Sequence, residues 1–235
     1  MPVGIIVNVL SVVTGGLIGS VVGNRLSEDL KSTMTLVFGL CSMGMGIASI
    51  VVMKNMPAVV LAIIFGTLIG RALKITVSIQ KLTGYVLGKL MKNQDQGAND
   101  LMLTAVVLFC ASGTGICGSL ESGMTGDHSL LLVKAVLDLF TAMIFASKLG
   151  KATAMISIPQ FIIMISLFLL SRLIVPLTTG VMIDDFKACA GLILLGTGFR
   201  MVDLKPFPTA DMIPALVLVM PISYAWVTWL LPLIG

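Results

Sequence analysis

One feature constrains this chain more than any other. An apolar run of about twenty residues recurs at roughly 3–23, 34–53, 56–73, 101–118, 129–149, 153–175, 186–203 and 212–233. Coiled as an α-helix, a run of that length spans the hydrocarbon core of a bilayer. The two weakest runs are the last. Arg200 and Asp203 crowd the end of the seventh, and Pro214, Pro221 and Pro232 interrupt the eighth. Lipid offers the backbone no hydrogen-bond partner, so only helices and closed barrels cross it. Barrel strands are about ten residues long and alternate in polarity, and these runs do not alternate. The expectation is an all-α polytopic membrane protein with seven or eight transmembrane helices.

Composition excludes the soluble alternatives. Charged residues make up 11% of the chain and hydrophobic residues 57%, against about 25% charged in soluble domains. The longest polar interval, about Lys89 to Asp100, is a loop. We therefore expect one transmembrane domain over residues 1–235. The first basic residue is Arg25, so the basic segment that opens a secretory signal is missing and the first run is expected to be a retained span. Basic residues are not interleaved with aromatics, which argues against a nucleic-acid partner.

Loop charges set the expected orientation. Arg25, Lys31, Arg71, Lys74, Lys81, Lys89, Lys92, Lys148, Lys151, Arg200 and Lys205 fall on one side of an eight-span arrangement, and only Lys54, Arg172 and Lys187 on the other. This bias puts both termini outside the cytoplasm. Residues 71–93 carry Arg71, Lys74, Lys81, Lys89 and Lys92 at helical spacing with Leu82, Val86, Leu87 and Leu90 between them. They read as a basic amphipathic helix on anionic lipid, inserted between spans three and four, or as a solvated continuation of the third span.

Short patterns recur. Gly15-Gly16-Leu17-Ile18-Gly19 resembles Gly66-Thr67-Leu68-Ile69-Gly70, and Cys41-Ser42-Met43-Gly44-Met45-Gly46 resembles Cys110-Ala111-Ser112-Gly113-Thr114-Gly115. Gly196-Thr197-Gly198 offers a third copy in the seventh run. The second and seventh of eight spans point in opposite directions, as an inverted repeat requires. Gly15, Gly19 and Gly23, and Gly66 with Gly70, are spaced for close helix packing within the chain or across a homodimer.

The chemistry concentrates between Phe109 and Gly150. Lys134 and Asp138 lie four residues apart on one helical face, in the middle of an apolar run. Ionisable groups at bilayer depth are costly and mark function by default. Asp138 could exchange a proton or coordinate a cation, with Lys134 as counter-charge or anion contact, and the alternative is a pair that only fixes helix orientation. The glycine-rich stretch Gly118 to His128 reads as a polar hairpin breaking a helix, the kind of backbone that binds solute in transporters. Candidate binding residues are Lys134, Asp138, Glu121, Asp127, Ser119, Asn8, Gly113 and Gly115. Asp127 also suits the cap of the following helix, and Thr14 suits packing.

Zinc-protease, nucleophile-elbow and phosphate-loop motifs are missing. One histidine, His128, supplies no di-histidine metal site. Cys41, Cys110, Cys117 and Cys189 lie in apolar runs without metal spacing. No enzyme activity, cofactor or metal is expected.

The run Gly118 to Asp127, followed by Lys134, Asp138 and then Phe145 to Gly150, resembles the YqgA/YdfK-like family of bacterial inner-membrane proteins, a domain-of-unknown-function group. The first run, with Gly4, Asn8 and Gly15-Gly16, also resembles the family's opening. The resemblance implies a multi-pass inner-membrane protein and supplies no substrate. Buried charges and a broken helix favour a transporter or channel for a small solute or ion, with membrane lipid as its other contact. The alternative is an accessory or scaffold subunit that uses the glycine faces for assembly.

Overall fold

The computed structural model describes residues 1–22, 27–79, 81, 101–102, 105–106, 108–110 and 112–234. Among them there is no β-strand, and the elements are helices. They are α1 (Val3–Val22), α2 (Glu28–Ile50), α3 (Met56–Ala72), α4 (Gly113–Thr125), α5 (Ser129–Leu149), α6 (Ser157–Ile174), α7 (Gly180–Met201), α8 (Pro214–Ala225) and α9 (Leu231–Ile234). Four helical stretches are long and apolar enough to cross a membrane: Val3–Val22, Glu28–Ile50, Ser129–Leu177 and Pro214–Leu233. The third contains α5 and α6, joined by the 3-10 turn Gly150–Ile156. Gly23 and most of the basic segment 71–93 lie outside the described residues.

The chain forms two compact units, each assembled from two separate stretches. The first comprises Met1–Val37 and Val77–Leu173, and the second Phe38–Thr76 and Ile174–Gly235.

In the first unit α1 lies along α5. Their register is constant: a Cβ added at Gly4 would meet Leu131 Cβ, one at Gly15 Ala142 Cβ, and one at Gly19 Ala146 Cβ, at 2.9–3.0 Å. Residue numbers rise together on both helices, so the two run parallel. The approach is close enough that a Cβ at Gly19 would stand 2.5 Å from Met143 Cα. Gly16 faces the backbone of Ala154 in the 3-10 turn. These glycines are thus used for packing inside the chain. Val12, Phe109, Ala142 and Ile156 form one buried cluster, and Ile5, Leu131, Met164 and Phe168 another.

The second unit packs α2 on α7 and α3 on α8. A Cβ at Gly46 would meet Gly191 O at 2.7 Å, and one at Gly198 would meet Gly39 O at 2.7 Å. Numbers rise on one helix as they fall on the other, so α2 and α7 are antiparallel. The same holds for α3 and α8, where Gly66 faces Ala215 and Gly70 faces Asp211 in the turn just before α8. Helix α7 is buried on most sides, including Asp185, Cys189, Ile193, Leu194 and Gly198. Thr179 caps it by accepting from Met182 N. Pro221 interrupts α8, and the helix gives way after Ala225 to a π-turn, Trp226–Leu230.

Helix faces are arranged for lipid. The buried face of α1 is Gly4, Ile5, Asn8, Val12, Gly15, Gly16 and Gly19, while Ile6, Val7, Leu10, Leu17, Ile18 and Val21 are exposed. Glycine and a polar amide point inward and large apolar side chains outward, which is the pattern of helices associating in a bilayer rather than in water.

One expectation is corrected. The stretch read as a polar hairpin from Gly118 to His128 is helical for most of its length, because α4 runs to Thr125. The connection to α5 is only Gly126-Asp127-His128, with Gly126 at φ 77°. The break in the helix lies earlier, at Ser112, whose backbone is extended (φ −70°, ψ 137°) and whose Oγ accepts from Gly115 N. Helix formers are scarce in α4, but side-chain hydroxyls return to its own backbone: Ser119 Oγ donates to Gly115 O at 2.7 Å and Thr125 Oγ1 to Glu121 O at 2.9 Å. Thirteen residues make a helix of roughly 20 Å, shorter than the roughly 30 Å hydrocarbon core.

Candidate functional site in the first unit

The site is built on α5. Its buried face is Leu131, Lys134, Ala135, Asp138, Ala142 and Ala146, so the charged pair shares the stripe that packs on α1. Lys134 Nζ lies 2.6 Å from Asp138 Oδ2, with side chains 4% and 10% exposed. At helical spacing the pair forms without backbone distortion. The ammonium also stands 6.0 Å from the centroid of the Phe109 ring.

Two other helices supply amides to the same carboxylate oxygen. Asn8 on α1 donates through Nδ2 to Asp138 Oδ2 at 2.9 Å. Gln160 on α6 donates through Nε2 to Asp138 Oδ2 at 3.0 Å and to Asn8 Oδ1 at 2.9 Å. Asn8 and Gln160 are fully buried. Helix positions explain the convergence. Asn8 sits between Gly4 and Gly15, which seat α1 against α5, and Gln160 shares the buried face of α6 with Ser157, Met164 and Phe168. One carboxylate oxygen thus receives an ammonium and two amides, hydrogen bonds of the stronger, charge-assisted kind.

The other candidates divide. Gly115 joins the site from α4: a Cβ there would meet Lys134 Cε at 3.0 Å, so the glycine makes room for the lysine stem. Gly113 opens α4 and is buried, as is Ser119. Glu121 is buried on α4. Asp127 is exposed, and its Oδ1 accepts from Ser129 N at 2.9 Å. It thereby caps the start of α5 while His128 occupies the capping position itself. His128 Nδ1 pairs with Ser122 Oγ at 2.7 Å, tying α4 to α5. Thr14 is exposed. Among the described residues no group of three His, Cys, Asp or Glu side chains is placed to hold a metal, and the Lys134–Asp138 cluster holds one carboxylate. The sequence reading missed Gln160. The signal was an uncharged amide within an apolar run, next to Pro159.

The second unit holds its own buried carboxylate, also missed. Asp185 on α7 is fully buried. Its Oδ1 accepts from Lys54 N and Asn55 N at 2.9 and 2.8 Å, and its Oδ2 from Asn55 Nδ2 and Ser223 Oγ at 2.9 and 2.6 Å. Four donors fill both oxygens. This carboxylate secures the corner before α3 to α8. Asp211 similarly accepts from Thr76 N and Thr76 Oγ1.

Comparison with known proteins places this architecture in a family. The model of a family described as "Protein of unknown function (DUF554)" matches residues 3–224. The chain is 43% identical over 233 residues to "Uncharacterized protein YqgA" of Escherichia coli (strain K12), covering 97% of this chain and 99% of that one. It is 24% identical over 221 residues to "Uncharacterized membrane protein YdfK" of Bacillus subtilis (strain 168), covering 92% and 93%. No solved structure matches. With its apolar spanning helices and nearly full-length match, the chain belongs to the DUF554 family and is a helical membrane protein.

Proposed function

We propose that this protein is a multi-pass inner-membrane transporter or channel for a small solute or ion, not an enzyme, and that the solute site lies at the Lys134–Asp138 pair. The observation that carries the reading is the pair itself, 2.6 Å apart and nearly closed to solvent on a helix of the spanning type. Replacing a buried ion pair with well-packed apolar residues is often neutral or stabilising, so stability alone gives little reason for one at this depth. Asn8 and Gln160, from two further helices, turn the pair into a polar focus between α1, α5 and α6. Gly113, Gly115 and Ser119 bring the short helix α4 to the same region, with Glu121 and Asp127 at its far end as less direct candidates.

Helix directions support eight crossings. In an eight-span count α1 and α5 are the first and fifth, and they run parallel. The pairs α2 with α7 and α3 with α8 are the second with the seventh and the third with the eighth, and both run antiparallel. The fourth crossing is then the one that contains α4, which begins after the extended residue Ser112. The inverted repeat also gains support. Matching Gly39 to Gly191 and Gly46 to Gly198 exchanges the two glycine contacts of α2 and α7, and the same offset aligns Gly44 with Gly196. Two helices related in this way pack about a local two-fold axis. The termini are assigned outside the cytoplasm from the loop charges, and homodimerisation is kept as part of the reading.

The test is a solute-library thermal-shift screen on purified protein in detergent, run in parallel on Asp138→Asn. A solute that binds only the folded state raises the melting point by mass action. The expected result is a stabilising solute whose effect disappears in the folded Asp138→Asn protein. A stabilising solute that acts equally on both proteins would remove the site from the pair.

A further inference from the structure

This inference deepens the transport-site reading and rests on it, since it concerns what the same site accepts. Three donors crowd a single atom, Asp138 Oδ2. The other carboxylate oxygen, Oδ1, receives no hydrogen bond among the described residues. Lys134 carries three N–H donors, and Asp138 takes one. Gln160 Oε1 is buried and has no partner among the described residues, and the residue is fully enclosed. The amide cannot simply be turned over to cure this. A flip would set Oε1 against Asn8 Oδ1 and Asp138 Oδ2, two acceptors that now receive from Nε2.

The unspent capacity therefore has a definite character: an acceptor on Gln160, an acceptor on Asp138 and donors on Lys134. A buried acceptor without a donor is costly to leave unmet. The fixed charges of Lys134 and Asp138 cancel. An anion would face the Asp138 carboxylate and give Gln160 Oε1 nothing, and a cation would face the Lys134 ammonium. Adding net charge to an enclosed site in apolar surroundings is expensive in either case.

We propose that the site takes a small solute of zero net charge that carries both a hydrogen-bond donor and an acceptor. The donor is received by Gln160 Oε1 and the acceptor by Lys134, which makes Gln160 a solute-contacting residue that sets specificity. A zwitterionic amino acid and a small primary amide share this chemistry.

The experiment measures thermal shifts of the full chain in detergent with glycine, acetamide, sodium acetate and methylammonium chloride, at ionic strength matched with sodium chloride. Glycine, acetamide or both should raise the melting point saturably, while acetate and methylammonium match the salt control. A response to glycine alone identifies the zwitterion, and one to acetamide alone the amide. In Gln160→Met the apparent affinity for the responding solute should fall about tenfold or more, equivalent to about 1.4 kcal/mol. The proposal is overturned by acetate or methylammonium stabilising as strongly as the neutral solutes, by neither neutral solute stabilising, or by a folded Gln160→Met protein that keeps its affinity. The four-solute comparison uses the unaltered chain, so it decides the matter even where the variant does not fold. A charged-solute response that Asp138→Asn abolishes would overturn the neutral-solute inference and leave the transport site standing. A response indifferent to Asp138→Asn would remove the site itself.

Discussion

Replacing Lys134 with Met and Asp138 with Leu, singly and together, separates the roles of the two charges. Lys134→Met roughly preserves volume and Asp138→Leu keeps the number of side-chain heavy atoms while adding bulk, so neither leaves a cavity. In Asp138→Leu the ammonium loses its only hydrogen-bond acceptor among the described residues and is left with the Phe109 ring at 6.0 Å. An uncompensated buried charge of this kind costs about 3–5 kcal/mol. Asn8 Nδ2 loses its acceptor as well, which adds about 1–3 kcal/mol. Lys134→Met is gentler, because Asp138 keeps the amide donors of Asn8 and Gln160. Hydrogen bonds to a charged group contribute about 1.5–3 kcal/mol each, so this variant should be about 2 kcal/mol or more above Asp138→Leu in stability. The double variant carries no buried charge here. Adding Lys134→Met to Asp138→Leu should restore about 3 kcal/mol relative to Asp138→Leu alone. The assay is equilibrium unfolding in mixed micelles by titration with sodium dodecyl sulfate, followed by far-ultraviolet circular dichroism. The reasoning is refuted by additive losses in the double variant, or by Lys134→Met costing as much as Asp138→Leu.

Other positions give sharper contrasts within one helix. Gly46→Ala would press a Cβ onto Gly191 O at 2.7 Å and should cost about 1–3 kcal/mol in the same assay. Gly44→Ala meets nothing within 4 Å and should be neutral or stabilising by up to about 1 kcal/mol. Ser223→Ala removes one of the four donors on Asp185 and should lower unfolding stability by about 1.5–3 kcal/mol without changing any response to solute. Asp127→Ala loses the exposed bond to Ser129 N and should cost about 0.5–2 kcal/mol in the same assay.

Much of the fold was legible because lipid imposes a simple rule. Helices α1 and α5 match their apolar runs to within a residue, and Lys134 and Asp138 stood out as the only charges in the middle of theirs. Their buried setting follows from the spacing and from the stripe they share with Ala135 and Ala142. Helix α4 was misread for a physical reason. Its glycines lower intrinsic helix propensity, but burial excludes water from the backbone, and the Ser112 cap and the hydroxyls of Ser119 and Thr125 favour the helix locally. Gln160 escaped notice because an uncharged amide hardly lowers the apolarity of its run, and only the packing of α1, α5 and α6 reveals its partners. Asp185 was placed just outside the seventh run. Helix α7 starts earlier, at Gly180, since four donors from elsewhere in the chain let a carboxylate be buried there.

The central claim is that the cluster of Asn8, Lys134, Asp138 and Gln160 is where solute binds on its way across the membrane. Its direct test is uptake into proteoliposomes of the solute returned by the thermal-shift screen, comparing the unaltered chain with Asp138→Asn at equal reconstitution. The account predicts saturable uptake by the unaltered chain and a rate about tenfold or more lower in the variant, the equivalent of about 1.4 kcal/mol. Equal uptake by both proteins, or none by the unaltered chain, would contradict it.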